Sequence, residues 1–432
     1  MYRIALLLCV FVLVSGLTFA QDIPPWKTNS PIADVKKELY RKHDRPGTSV
    51  LASMQYVGPG LERREVQSSQ TLDDVSDDIV ARWSSDNGKT WSEFVKVQPS
   101  NNINYNGVTV WEGEACSVYA PKPGVLVQMW LRQIQEGKLY HCWTYSRYSR
   151  DAGRTWSTPK QLRYEDGEDF DPNEPMKATY LDRNEAYIGS NIEVLPDGTL
   201  LHCVAHANAP GDPKNNERIW RMGSVMFSGV WDDAAQDFVW TAGAHVEINP
   251  EMSARGLMEP EVVQLKDGRI LVVWRGSTEG WDGTKATIPG RKFFSVSTDG
   301  GKTLTAPGEW KYDDGTSFYS PSSFHRMIRH SVTGKLYWFG NITPEPPAGN
   351  MPRYPLVIAE VDEEKAALKK STVTVVDDRQ PDQGKDIQFS NFSLLEDRET
   401  HALELYMTLY GQFADPAEKG AGDCYKYVLT IR

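Results

Sequence analysis

The chain is poor in the features that mark several common classes of protein. Cysteine is scarce: five in 432 residues, with no C-x-x-C spacing, which argues against a structural zinc site. Basic residues are outnumbered, 47 Lys and Arg against 58 Asp and Glu, for a net charge of −11. That balance disfavours nucleic acid or an anionic membrane as a general partner. Beyond the first twenty residues no stretch is apolar enough to cross a bilayer, since a span needs about 20 apolar residues. P-loop, dinucleotide-binding, G-x-S-x-G and H-E-x-x-H motifs are all missing. Nothing in the sequence calls for a metal or a cofactor. The acidic loop GEDFDPNEP at 167–175 lacks the spacing of glycine and terminal glutamate of a calcium loop and reads as solvated.

The beginning of the chain, MYRIALLLCVFVLVSGLTFAQD, has one early Arg, a short apolar run and small residues up to Ala20. This pattern predicts a secretory signal peptide cut after Ala20, and hence a secreted or periplasmic protein whose domain spans 21–432. Cys9 would leave with the leader. Cys116, Cys142, Cys203 and Cys424 would remain, either as one or two disulfides or as four thiols.

What the chain has in quantity is aromatic residues, including 14 Trp and 19 Tyr, which suit pleated, half-buried surfaces. It also repeats itself. The turn SSDNGKTW (Ser84–Trp91) returns as SRDAGRTW (Ser149–Trp156) and STDGGKTL (Ser297–Leu304). In each turn Asp and the hydroxyls can bond nearby backbone and Gly can take a positive φ, so a structural role accounts for the polar residues. A second phrase, a turn followed by an apolar β run, recurs at Gly47, Gly124, Gly198, Gly268 and Gly334, with a degenerate sixth near Arg398. Six units at a period of about seventy residues, with no linker between them, predict an all-β, six-bladed propeller. YKYVLTIR at the C-terminus is expected to help close the ring.

A chain of six such units carrying these Asp boxes resembles the sialidase (neuraminidase) superfamily. The resemblance implies an exo-glycosidase acting on a terminal acidic sugar of a glycan. In that family three Arg hold the substrate carboxylate, a Tyr paired with Glu is the nucleophile, and an Asp is the acid/base. In MEPEVVQLKDGRILVVWRGS, Glu259 falls on the family's Glu and Arg275, sixteen residues later, on its second Arg. Arg353, in NMPRYPLVIAEVD, falls on the third. Glu114, in WEGEACS, is the internal counterpart of Glu259 and a further substrate-binding candidate; Glu112 precedes it. The acid/base is expected at Asp73 or Asp74, in TLDDVSDDIVARW, where Asp77 and Asp78 follow. The text diverges from the family at two points. FSNFSLLEDR places Phe389, without a hydroxyl, where the nucleophile belongs, with Tyr319 as a substitute from elsewhere. No Arg-Ile-Pro precedes the first unit, which offers only Lys37, Arg41 and Arg45. These departures leave open a non-catalytic glycan-binding propeller, or a uronic-acid-directed lyase or hydrolase. His202, His206, His325 and His330 are the candidate bases for a lyase.

Overall fold

The computed structural model describes residues 23–432, apart from 73, 99, 137–138, 182, 208–222 and 281–282. Residues 1–22, with the expected leader, lie outside the described residues. The strands follow from local text. VLVQMWLR alternates: Val127 and Met129 join one core cluster, while Leu126 joins another on the opposite face. Fully apolar runs such as ILVVW make strands buried on both faces.

Among the described residues the strands form six antiparallel sheets, and these are the blades of a β-propeller. The innermost strands are Ser49–Tyr56, Val108–Ala120, Glu193–Val194, Met258–Gln264, Arg326–Arg329 and Phe392–Glu396, for blades 1 to 6, and in blade 2 the short Asn102–Tyr105 pairs along the free edge of Val108–Ala120. Each touches the innermost strand of the next blade, and the sixth touches the first, so the ring is closed. Closure falls to the two ends of the chain. Ala33–Arg41 pairs antiparallel with Cys424–Ile431 from Ala33↔Ile431 to Leu39↔Tyr425, and forms the outermost strand of blade 6. The C-terminal segment thus does what its sequence suggested, by capturing the N-terminal strand and protecting a sheet edge.

The expected repeat is displaced at its first beat. Gly124, Gly198, Gly268 and Gly334 all have positive φ and lie between the first two strands of their blades. Gly47 instead precedes the innermost strand of blade 1, and the corresponding turn is 57–62. Both segments are glycine turns beside an apolar run, so the sequence offers no local means of telling them apart.

The three Asp boxes are built alike. In the first, Asp86 accepts from Ser84 Oγ at 2.8 Å, Thr90 N at 2.8 Å and Thr90 Oγ1 at 2.6 Å. Asp151 and Asp299 repeat the set with Ser149, Thr155, Ser297 and Thr303. Bonds from Thr90 and Ser84 hold the Asp86 carboxyl down at about 2. The Ser, Asp and Thr side chains of the box are satisfied within the turn, while Asn87 and Lys89 reach across to Asp397 and Glu399.

Buried apolar clusters fill the seams between blades. Leu271, Val273, Trp310, Trp338 and Val357 join blades 4 and 5. Phe339, Ile358, Phe389, Leu405 and Tyr427 join blades 5 and 6. The seam between blades 1 and 2 is thin, with only Val57, Ala81, Trp83 and Leu126 in its buried core. The four cysteines are free thiols, so the disulfide alternative does not hold. No described helix is long and apolar enough to cross a membrane.

Candidate active site at the propeller axis

Glu259 opens the innermost strand of blade 4. The register of that strand slips between Met258 and Glu261, a β-bulge, and Glu259 sits at φ 42°. A left-handed non-glycine residue is unfavourable by about 1 kcal/mol or more, and bulges re-aim side chains. The neighbouring strand ends in Arg275, directly across from Met258. Arg275 Nη1 donates to Glu259 Oε2 at 2.6 Å, while Arg275 Nε, buried, has no acceptor. The sixteen-residue spacing therefore does bring carboxylate and guanidinium together at one rim of the blade.

Lys292, on the third strand of blade 4, is fully buried and donates to Ser323 O. Burial drives its pKa well below the usual lysine range, and the field of Arg275 adds to this; Glu259 opposes and Arg353 reinforces. Its surroundings thus gather blade 4 and Arg353 into one cluster. Arg353 comes from blade 5, as expected, and is oriented by Gln388 Oε1 at 2.6 Å, Ser390 Oγ at 3.3 Å and Ser322 O at 3.2 Å.

Sequence reading missed two members. Arg255, four residues before Glu259, has its pKa pushed down to about 10 by burial first and then by Arg275; Glu259 and Glu279 oppose. It supplies a third guanidinium where Lys37, Arg41 and Arg45 do not. Those three bind Asp377, the Leu51 and Ser68 carbonyls, and Asp77. The other is Tyr187, in the segment that leads into blade 3. Burial raises its phenol pKa, the charges of Glu259 and Asp74 raise it further, and Arg275 opposes. A tyrosine thus stands among the acid candidates, although from a different blade than the family pattern places it. AYIGSN carries no signature that would have singled it out.

Asp74 is exposed, at φ 59°, and its carbonyl accepts from Trp111 Nε1 at 2.9 Å and Asn101 Nδ2 at 3.1 Å. Asp73 lies outside the described residues. Asp77 and Asp78 pair with Arg45 and Lys96. Glu259, Asp74, Tyr187 and Glu114 all line one cavity of about 1730 Å³ that runs along the axis. Glu114 lies apart from Arg275, held by Arg64 Nη1 at 2.8 Å and Ser117 Oγ at 2.9 Å. Burial alone would raise its pKa, but Arg64, Ser117 and Arg147 together outweigh it and the carboxyl is lowered. Glu112 is held by Arg132 at 2.8 Å.

Phe389 is fully buried between blades 5 and 6, in the apolar cluster and away from the cavity. Tyr319 lies under Arg291 and does not line the cavity either. No described histidine side chain lines it. His202 bonds the Asn191 carbonyl and is pushed by burial down to about 4. His325 faces the Val273 carbonyl and His330 the His401 carbonyl. The side chain of His206 lies outside the described residues.

The fold is sialidase-like. The NanB sialidase of Streptococcus pneumoniae superposes with TM-score 0.56 at 12% identity, over 91% of this chain and 70% of that one. The intramolecular trans-sialidase of Ruminococcus gnavus gives 0.55 at 10%, over 91% and 97%. A protein of unknown function from Dyadobacter fermentans gives 0.59 at 16%, over 92% and 99%. No protein-family model matches the sequence, and no curated protein matches it either. At these identities the likeness speaks for the propeller, and function has to be argued from the site itself.

Proposed function

We propose that the protein is a glycoside hydrolase that removes a terminal acidic sugar from a glycan, at the axial end of blade 4. One observation carries this reading. Arg275 bonds Glu259, Arg255 lies in the field of both, and Arg353 joins Arg275 in the field of the buried Lys292, so guanidiniums from blades 4 and 5 surround one place. Such a cluster suits a substrate carboxylate, which a guanidinium edge binds through two parallel bonds. Arg275 keeps its Nε unbonded on the edge away from Glu259. The sialidase neighbours, including one titled as a trans-sialidase, make sialic acid the first sugar to test.

In this reading Glu259 accepts the phenol proton of Tyr187. The phenolate oxygen then bonds to the anomeric carbon while Asp74, protonated, gives its proton to the departing glycosidic oxygen. Asp74, now a carboxylate, deprotonates a water whose oxygen displaces the tyrosyl oxygen, and Glu259 returns the proton. Tyr187 thereby supplies the hydroxyl that Phe389 lacks.

The test is turnover of a fluorogenic α-sialoside and a panel of uronosides by the protein without residues 1–20, beside Glu259→Gln and Tyr187→Phe. Loss of an interaction made in the transition state is expected to lower kcat at least 100-fold in each variant. Full activity in Tyr187→Phe would remove the tyrosine from the chemistry. Glycan binding that depends on Arg275, without turnover in the wild type, would make the protein a lectin-like propeller instead.

A further inference from the structure

The axial cavity does not end at the site just described. It also reaches into the seam between blades 1 and 2, where Arg64, Glu114, Trp130, Arg147 and Trp156 line it. Its volume of about 1730 Å³ exceeds the roughly 300–1,000 Å³ of a small-molecule site, so one sugar leaves most of it unfilled.

The seam has an unusual composition because of strand alternation. Leu126, Gln128, Trp130 and Arg132 occupy one face of their strand. Gln128 is opposite both Ser117 and Arg147 in the register. Arg147 packs against two indoles, 3.9 Å from the Trp130 ring centre and 4.7 Å from that of Trp156. Its one hydrogen bond is from Nε to Gln128 Oε1, at 2.6 Å. Among the described residues both terminal nitrogens of the guanidinium are therefore left without an acceptor. Gln128 is completely buried, and its Nε2 has no partner. Arg64, also buried, has Nη1 on Glu114 and leaves Nε without an acceptor. The charges do not balance. Arg132 is matched by Glu112, but among the described residues Arg64 and Arg147 share Glu114, so one positive charge is in excess.

We infer that the seam between blades 1 and 2 is a second anion-binding subsite, centred on Arg147, which receives the carboxylate or sulfate of another sugar in the same glycan. The indoles hold the guanidinium flat before anything binds, so little ordering remains to be done on association. The part that concerns an anion stands on the seam alone. The part that concerns a glycan rests on the function proposed above.

Two titrations separate these parts, both read by tryptophan fluorescence because Trp130 and Trp156 touch Arg147. In the first, inorganic sulfate and acetate are added to the full mature chain and to Arg147→Gln. Saturable quenching in the wild type, weakened at least tenfold in the variant, is expected. Glu114→Gln removes the competing internal carboxylate and should bind sulfate more tightly than the wild type. In the second, acidic hexasaccharides, one carboxylated and one sulfated, are compared with their monosaccharides. A hexasaccharide is expected to bind at least tenfold more tightly than its monosaccharide, in Glu259→Gln as in the wild type. Arg147→Gln should abolish that advantage and Arg147→Lys should restore part of it. The better of the two hexasaccharides identifies the anion. Sulfate binding with a hexasaccharide advantage indifferent to residue 147 would overturn the glycan subsite. Absence of anion binding, or equal binding by Arg147→Gln, would overturn the subsite altogether. Failure of the sialoside assay with both titrations positive would fault the proposed chemistry alone.

Discussion

Arg63 and Arg64 are adjacent in sequence and point into different seams, because successive side chains of a strand face opposite ways. Arg63 enters the seam between blades 6 and 1. There it meets Asp397 at 2.7 Å, Glu404 at 3.0 Å and the Tyr56 hydroxyl at 2.7 Å. Arg64 enters the seam between blades 1 and 2, where Glu114 is its one carboxylate and Arg147 is a second cation. Both guanidiniums are almost fully buried. The first is matched by the protein and acts as a structural tie. The second is under-matched, and the cavity opens onto it. Surplus charge, more than burial or the presence of an ion pair, distinguishes a place built for a ligand from one built for the fold.

The largest effect that tests this comparison is on stability. Arg63→Ala takes the guanidinium from two buried carboxylates, leaving Glu404 with Lys426 and Asp397 with Asn87 and backbone N–H groups, and is expected to destabilise by roughly 3 kcal/mol. Arg64→Ala leaves Glu114 with Ser117 and partial solvent access, and should cost about 1 kcal/mol. Urea unfolding of both variants would measure the difference, and equal losses would break the comparison. A smaller effect is expected at Glu193, a cavity-lining carboxyl of blade 3 that makes no ion pair among the described residues and feels Arg329 only weakly. Burial raises its pKa to about 7, opposed by the Gln264 backbone bond. A raised carboxyl pKa disfavours the folded state where the group must ionise. The cost is absent below the unfolded value, grows as pH rises towards 7 and is complete above it. Glu193→Gln is therefore expected to stabilise by on the order of 2 kcal/mol at pH 8 and by nothing at pH 4, as thermal melts at both values would reveal. The smallest effect belongs to an Asp box. Asp86→Ala should lower the melting temperature slightly and leave kcat unchanged. Since the carboxyl is held at about 2, its contribution is present above the ordinary carboxylate pKa and is lost as pH falls through 2. The deficit of the variant should thus vanish in strong acid.

How much could be read beforehand depended on the range of the interactions. The six-fold repeat, the box turns and the Glu259–Arg275 pair were legible, because a hairpin connects each pair of residues over a short stretch of chain. Phe389 was read at the nucleophile's position, but it lies away from the cavity. Its burial in the seam between blades 5 and 6 was not legible, since nothing local says which face of a strand meets a neighbouring blade. Arg255 and Tyr187 were missed for a related reason. Neither carries a motif, and each reaches the site through contacts with other elements. The misplaced first beat at Gly47 shows the limit of periodicity: two similar turns lie within fifteen residues, and only strand pairing assigns one to the blade.

By itself the sequence determined the class of fold, the places of most of the turns and one ion pair, all of which follow from alternation, turn chemistry and spacing along the chain. The tertiary structure decided which charges are matched and which are left over. That outcome depends on side chains from different blades meeting across a seam or the axis. No segment encodes it, because the partner that neutralises a buried arginine can lie more than three hundred residues away, as Asp397 and Glu404 do from Arg63.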